Sequence, residues 1–184
     1  MLILASGSPR RKQLLGLITD KFDVRPTGCD ETLLCADPDK RVLELALRKA
    51  HAAALLPGDA ILAADTIVAL DGEILEKPSD EADAYRMLRL LSGRTHTVYT
   101  GVAVRTEETV KSFCQKTDVT FWELDDAFID AYIRSGEPMD KAGAYGIQGR
   151  GALLVQNIEG DFFNVMGLPV AAVYRLLREL GLAT

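Results

Sequence analysis

The sequence has few of the side chains that serve as nucleophiles, proton shuttles or soft metal ligands. Its 184 residues include three cysteines and two histidines. The cysteines lack CxxC spacing, which argues against a zinc site and a disulfide framework. The GxSxG and HExxH motifs are also missing, so serine hydrolysis and zinc proteolysis have no support. We interpret Cys29, Cys35 and Cys114 as free thiols of a reduced chain, and His51 and His96 as structural residues.

Positive charge and long apolar runs are also scarce. Lysine and arginine number 21 against 27 aspartates and glutamates, for a formal net charge of -6. Nucleic-acid binding without sequence preference depends on many cationic contacts to phosphates, so we expect no nucleic-acid partner. The sequence contains neither an apolar run long enough to span a bilayer nor the pattern of a signal peptide. We therefore expect no membrane partner and a cytoplasmic location.

Strand and helix patterns alternate through the first half of the chain, which is typical of an α/β fold. Short apolar or alternating runs predict strands at 2–6, 21–27, 60–64, 66–70, 73–76, 95–104, 111–122 and 152–158. Helical periodicity predicts helices at 9–15, 39–56, 80–93, 125–136 and 169–180. Segment 139–151 holds four glycines and predicts a loop. We predict one α/β domain over residues 1–184, with a mixed twisted sheet flanked by helices.

Capping and turn residues mark several ends of these elements. Short polar side chains accept the unpaired N–H groups of a helix start, and glycine tolerates the positive φ of helix ends and tight turns. These signals predict N-caps at Ser8, Asp37 and Ser79, a left-handed helix end at Gly16 and a hairpin turn at Asp71-Gly72.

The segment SGSPRR, residues 6–11, places two arginines where a predicted strand meets a helix start. Backbone N–H groups and the helix dipole favour an anion there, and an arginine fork donates paired hydrogen bonds to phosphate. The alternative is that Arg10, Arg11 and Lys12 form a solvated face. No Walker-type GxxxxGKS/T or GxGxxG motif accompanies them. The segment alone leaves both interpretations open.

Carboxylates and lysines add a second element of chemistry. Asp65 follows the apolar run AILAA, and strand ends in open α/β sheets line ligand crevices; a turn or capping aspartate is an equal alternative. Asp30 and Glu31 offer oxygens of the kind that Mg²⁺ or Mn²⁺ prefers, although ordinary loop solvation also explains them. Lysines stand in or beside predicted connections, at Lys49, Lys77 and Lys141, although a mid-helix lysine is usually exposed. A site of this composition suits phosphoryl or nucleotidyl transfer.

Five segments, taken in order, carry a resemblance to a known family. They are LASGSPRR at 4–11, AADTIV at 63–68, KP at 77–78, LSGRTHTVYTG at 91–101 and EPMDKAGAYGIQGRGALLV at 137–155. On these segments the chain resembles the Maf-type nucleoside triphosphate pyrophosphatases over essentially its whole length. The resemblance implies a Maf/ITPase-like fold with a substrate cleft between two lobes. It also implies hydrolysis between the α and β phosphates with a divalent metal, Mg²⁺ or Mn²⁺.

The resemblance also assigns roles to individual positions. Asp65 resembles the acidic residue that activates water, and Glu31 joins it as a metal ligand. The other phosphate-handling positions are Ser6, Arg11, Lys49 and Lys77. Arg10, Thr66 and Gln148 resemble the branch that acts on dTTP and UTP. The amide of Gln148 suits that role, because it can pair with the N3–H and carbonyl edge of a pyrimidine.

A second hypothesis is a nucleotide-binding regulator of cell division in which hydrolysis is incidental. Such a regulator would keep its cellular effect when Asp65 is replaced, whereas an effect that needs hydrolysis would be lost. The partner expected under both hypotheses is a nucleoside triphosphate, and a homodimer is retained as a candidate assembly.

Overall fold

The computed structural model describes residues 1–32 and 35–183, so Leu33 of the CDETL segment lies outside the described residues. The strands are β1 (Leu2–Leu4), β2 (Phe22–Val24), β3 (Ala60–Leu70), β4 (Glu73–Leu75), β5 (Thr95–Arg105), β6 (Val110–Phe121) and β7 (Val155–Gly160). The α-helices are α1 (Pro9–Leu15), α2 (Pro38–Ala52), α3 (Glu81–Leu91), α4 (Asp126–Arg134), α5 (Phe162–Val165) and α6 (Val170–Glu179). Short 3-10 helices cover Glu137–Asp140, Ala142–Ala144 and Gly149–Leu154.

The strands form one seven-stranded mixed sheet with the order β2-β1-β3-β5-β6-β7, and β4 pairs with β3. β1 pairs in parallel with both β2 and β3, whereas β3 with β4 and β6 with β7 are antiparallel. Parallel strands joined through helices, together with antiparallel hairpins, make this a mixed α/β architecture. The predicted fold class is therefore confirmed. Within the described residues, no helix is both long enough and apolar enough to cross a bilayer.

The chain divides into two compact units by its internal contacts. The first unit contains Met1–Asp65, Thr100–Gln115 and Gly167–Thr184, and the second contains Thr66–Tyr99 and Lys116–Met166. A core of small and branched side chains from β1, α2 and β3 fills the first unit, including Ile3, Ala46 and Ile61. The second unit has its own core, which includes Leu88, Phe121 and Tyr132. The single domain and the substrate cleft stay predictions.

The local capping predictions are largely confirmed. Ser8 caps α1, and the Asp37 carboxylate accepts the N–H groups at the start of α2. Asp71 and Gly72 both have positive φ, 50° and 84°, as a two-residue hairpin turn of this kind requires. The cap of α3 was predicted one residue too early: the Asp80 side chain accepts the Asp83 N–H.

Two predicted helix ends are wrong for identifiable reasons. Gly16 is right-handed, with φ -60°, because the N–H groups of the next three residues still donate back to carbonyls of the last turn of α1. The helix predicted to run to residue 56 ends at Ala52, since Ala53 turns extended and lies in the core of the first unit. Burial outweighs the helix propensity of this alanine.

Strand ends also differ from the prediction at two places. Asp65 does not follow a strand that ends at Ala64; it lies inside β3, which continues to Leu70. The continuation has a partner, because Val68–Leu70 pairs with β4. The strand predicted at 152–158 begins only at Val155, since the residues before it belong to a 3-10 helix.

His96 has the structural role predicted for it. The side chain is buried within the second unit, and Nε2 lies 2.8 Å from the Tyr145 hydroxyl. The Phe121 ring meets the imidazole edge-on. Burial lowers the pKa of His96 to about 4, so the imidazole is neutral at physiological pH.

Gly101 lets α2 approach β5 within the first unit. A Cβ atom at this position would lie 2.2 Å from the Val42 carbonyl oxygen. Gly101→Ala must push α2 away, and we expect a loss of about 1 to 3 kcal/mol in the free energy of unfolding, as for other overpacked cores. Urea denaturation measures this. Gly28→Ala is the matched control, because a Cβ there meets nothing within 4 Å; equal stability of the two variants would contradict the prediction.

Candidate active site

The connection between β1 and α1 anchors Arg11 on two sides. Its Nε donates to the Gly167 carbonyl oxygen at 2.8 Å, and its Nη1 donates to Ser6 Oγ at 3.3 Å. Ser6 is buried and Arg11 is half-buried, whereas Lys12 is exposed. A solvated face therefore describes Lys12 but not Arg11. The anchored guanidinium is a fixed positive charge at the start of the first helix.

Asp65 and Glu31 meet at the ammonium group of Lys49. Lys49 Nζ lies 2.6 Å from Asp65 Oδ1 and 3.2 Å from Glu31 Oε2. The side chains of Lys49 and Asp65 are only 12% and 11% exposed, whereas that of Glu31 is 58% exposed. A buried carboxylate needs such a partner to offset its desolvation. Asp65 is thus neither a turn nor a capping residue.

The helix pattern explains why most of the Lys49 side chain is shielded from solvent. The buried side chains of α2 include Val42, Leu45 and Ala46. Lys49 follows them at the i+7, i+4 and i+3 positions, so it continues the same stripe of the helix. The expectation that a mid-helix lysine is exposed fails here, since this stripe faces β3 and the lysine finds the Asp65 carboxylate there.

The charges of these residues act on one another. Burial lowers the pKa of the Arg11 guanidinium; the Asp65 and Glu31 charges oppose this shift, and the Arg10 charge adds to it. Arginine nevertheless stays protonated at any physiological pH. The cluster of Arg10, Arg11, Lys49, Glu31 and Asp65 holds three positive and two negative groups, a net charge of +1. A chain that is acidic overall thus gathers a positive cluster suited to an anion.

The other predicted site residues lie in the second unit. Thr66 is a half-buried residue of β3, Lys77 is exposed just after β4, and Gln148 is exposed directly before the last 3-10 helix. The Gly143 N–H donates to the Glu76 carbonyl oxygen at 3.1 Å, which ties the glycine-rich segment to the residue that precedes Lys77. Lys141 has a structural role, because its Nζ contacts the Asp140 carboxylate and the Glu137 carbonyl oxygen.

A family profile described as Maf-like protein matches residues 1–180. The chain belongs to the Maf family. Curated relatives support this: a dTTP/UTP pyrophosphatase of Bacillus cereus is 52% identical over 181 residues, which cover 97% of this chain and 93% of the relative. A dTTP/UTP pyrophosphatase of Bacillus cytotoxicus is 53% identical over 180 residues, with the same coverage.

A solved structure shares the Maf fold at much lower sequence similarity. A HAM1 protein from Coxiella burnetii aligns with a TM-score of 0.55 and 16% identity, covering 97% of this chain and 98% of the other. This similarity concerns the fold alone. It agrees with the mixed sheet and flanking helices described above.

The sequence analysis assigned no role to one residue of this Maf chain that forms several hydrogen bonds near Gln148. Glu137 stands in the matched segment EPMD, yet no role was predicted for it. Its carboxylate accepts N–H hydrogen bonds from Arg150 and Gly151 and a hydroxyl hydrogen bond from Tyr132. A signal was present, because Gln148 is a poor capping residue at the start of the helix that follows it. An acceptor from elsewhere in the chain was therefore required.

Proposed function

We propose that this chain is a nucleoside triphosphate pyrophosphatase that hydrolyses dTTP and UTP to the monophosphate and pyrophosphate. The observation that carries the proposal is the buried Asp65 carboxylate, held by Lys49 within a cluster that is positive overall. Such a cluster combines a base with cationic groups for phosphate oxygens. Relatives that are 52% and 53% identical carry the name dTTP/UTP pyrophosphatase, which supports the substrate.

In this proposal Asp65 is the general base. Lys49 contacts Oδ1 and orients the carboxylate, and Oδ2 takes the proton from the attacking water. The Lys49 ammonium is close enough to stabilise negative charge that develops on the phosphate under attack. Because the pair is shielded from solvent, these interactions are stronger than they would be at the surface.

Arg11 binds phosphate in the same proposal. Its contacts with Ser6 and Gly167 fix the side chain before the nucleotide arrives. A preorganised guanidinium loses less side-chain entropy on binding than a mobile one. Arg10 and Lys77 supply further positive charge for the triphosphate. Their roles rest on the family pattern.

The pyrimidine base is assigned to Gln148, Thr66 and Arg10. Gln148 is exposed and its amide offers a carbonyl acceptor and an NH₂ donor, which matches the N3–H and carbonyl groups of thymine and uracil. A purine presents a different edge; once the bound base excludes water from the Gln148 amide, that amide would be left without partners, at a cost of about 1 to 3 kcal/mol.

The residues present fit a divalent metal. Glu31 and Asp65 offer carboxylate oxygens that already converge on one cation, Lys49 Nζ, and Mg²⁺ and Mn²⁺ prefer such ligands. The described residues contain no group of three or more His, Cys, Asp or Glu side chains that could hold a metal. Glu31 and Asp65 would therefore share the ion with water and phosphate oxygens, as is usual for Mg²⁺. When bound, the ion neutralises charge on those oxygens.

A nucleotide panel tests the proposed function. Purified protein with Mg²⁺ or Mn²⁺ is expected to release pyrophosphate from dTTP and UTP with kcat/KM about 10-fold or more above that for dATP and GTP, since an unpaired amide costs about one factor of ten. Ion chromatography of the products identifies the cleaved bond. Equal rates on all bases would contradict the base assignment, and orthophosphate as the only inorganic product would contradict the pyrophosphatase itself.

A further inference from the structure

Gln148 stands at the cap position of the 3-10 helix that follows it. It precedes the 3-10 helix Gly149–Leu154 with extended backbone angles, φ -87° and ψ 165°. A Ser, Thr, Asp or Asn at this position would accept an N–H of the first turn, whereas glutamine is not a preferred capping residue. Among the described residues, the Gln148 side chain makes no such hydrogen bond to that helix.

Glu137 satisfies these N–H groups instead. Its Oε2 accepts the Arg150 N–H at 3.0 Å, and its Oε1 accepts the Gly151 N–H at 2.9 Å. Arg150 and Gly151 are the second and third residues of the helix, the positions that a capping side chain serves. The Glu137 carboxylate, with its two oxygens, therefore replaces a capping side chain at position 148.

The same carboxylate is linked to the chain on the other side of Gln148. The Tyr132 hydroxyl donates to Glu137 Oε1 at 3.1 Å and accepts the Gly146 N–H at 3.2 Å. Burial raises the pKa of Tyr132, so the hydroxyl keeps its proton. Although burial opposes it, the N–H groups of Gly151 and Arg150 lower the pKa of Glu137 from its ordinary value. An ionised Glu137 and a neutral Tyr132 thus hold both flanks of Gln148.

Two glycines make this close arrangement sterically feasible. A Cβ at Gly149 would lie 2.8 Å from Glu137 Oε2, and that residue has a positive φ of 66°. A Cβ at Gly151 would lie 1.9 Å from the Gly146 carbonyl oxygen. The backbone around Gln148 is therefore packed tightly against the Glu137 carboxylate and cannot shift without breaking these contacts.

We propose that Glu137 is a positioning residue for pyrimidine selection: it caps the helix after Gln148, so that the Gln148 amide stays directed to the nucleobase. The inference rests on the proposed function, because it takes Gln148 as the base-contacting residue. Glu137 itself touches no substrate. Its loss should therefore act on the recognition of the base and leave the chemical step nearly unchanged.

Glu137→Gln is the principal test. The NH₂ of the new amide cannot accept an N–H and its single carbonyl oxygen replaces two acceptors, so either Arg150 or Gly151 loses its acceptor while the side-chain volume is kept. We expect KM for dTTP to rise about 10-fold, kcat to stay within about 3-fold, and the kcat/KM preference for dTTP over dATP to fall about 10-fold. Glu123→Gln, at an exposed glutamate of the same unit, is the control and should leave all three values unchanged.

The Gln148→Ala background separates positioning from general destabilisation. If Glu137 acts through Gln148, the double variant Glu137→Gln/Gln148→Ala shows the same dTTP preference as Gln148→Ala alone. A further loss of preference in the double variant would overturn the proposal. So would an equal loss of kcat on every nucleotide with the preference intact. If Glu137→Gln does not fold, Tyr132→Phe takes its place, because it removes the hydroxyl hydrogen bond to Glu137. An unchanged preference for dTTP over dATP in Tyr132→Phe would overturn the proposal.

Hydrogen exchange supplies a readout that needs no activity. The amides of Arg150 and Gly151 should exchange faster in Glu137→Gln than in the wild-type protein, and at wild-type rates in Glu123→Gln. Unchanged exchange at both amides would refute the capping role even if activity falls. A wild-type protein that hydrolyses no nucleoside triphosphate would instead refute the proposed function, which keeps the two failures distinct.

Discussion

Asp65→Asn is expected to lower kcat for dTTP hydrolysis by about 10²- to 10⁴-fold, the usual effect of losing a general base. Asparagine keeps the volume and an oxygen that still accepts from Lys49, but its amide cannot take a proton from water. KM should change much less, because in the proposed function Arg11, anchored by Gly167 and Ser6, binds phosphate independently of Asp65. Initial rates of pyrophosphate release at saturating dTTP give kcat for Asp65→Asn and for the wild-type protein.

The Asp65→Asn result has to be separated from a loss of fold. The pair with Lys49 is buried, so its weakening should reduce the free energy of unfolding by about 1 to 3 kcal/mol, a loss that leaves an ordinary domain folded. Glu31 Oε2 still faces the ammonium at 3.2 Å. Asp20→Asn, at an exposed aspartate of the same unit, is the control. A kcat for Asp65→Asn equal to that of this control would place the base elsewhere.

Predictions from sequence succeed here where the deciding contacts are local. The Ser8 cap joins residues three apart, and the Asp71-Gly72 turn depends on two neighbouring backbone angles. Both are visible in a few letters of sequence. The cap of α3 shows the limit of this reading, because Ser79 and Asp80 are both capping residues and only the geometry at Asp83 distinguishes them.

Predictions fail where distant residues decide the outcome. Lys49 and Asp65 are 16 residues apart. Neither residue type indicates by itself that the apolar stripe of α2 places the lysine side chain against β3. The prediction for Lys49 followed the usual exposure of a mid-helix lysine and did not use the apolar stripe of α2. Glu137 lies 13 and 14 residues from the N–H groups that it accepts, and no pattern in its own segment indicates them.

The family resemblance supplied what physical reading of the chain could not. Charge and motif counts led only to a site for phosphoryl or nucleotidyl transfer. The bond that is cleaved and the base that is preferred depend on the placement of a few donors and acceptors, and the fold sets that placement. For this reason the roles of individual residues require measurement even where the family is established.

Arg11→Ala is expected to lower kcat/KM for dTTP by about 10²- to 10⁴-fold, because two hydrogen bonds from a charged donor to phosphate are together worth about 3 to 6 kcal/mol. The effect should fall mainly on KM. Arg11→Lys keeps the charge but loses the planar fork, so it cannot satisfy Gly167, Ser6 and phosphate together and should be intermediate. Steady-state kinetics measures both variants.

The specificity of the Arg11 effect can be tested with the products. If Arg11 binds phosphate, Arg11→Ala should weaken inhibition by pyrophosphate by about the same factor as dTTP binding, since both use the same charge-assisted hydrogen bonds. Inhibition by thymidine, which carries no phosphate, should stay the same. Lys12→Ala is the matched control, because Lys12 is an exposed cation of the same helix. An equal effect of the two variants would mean that α1 contributes only a diffuse positive charge and that the anchored guanidinium does not contact the triphosphate.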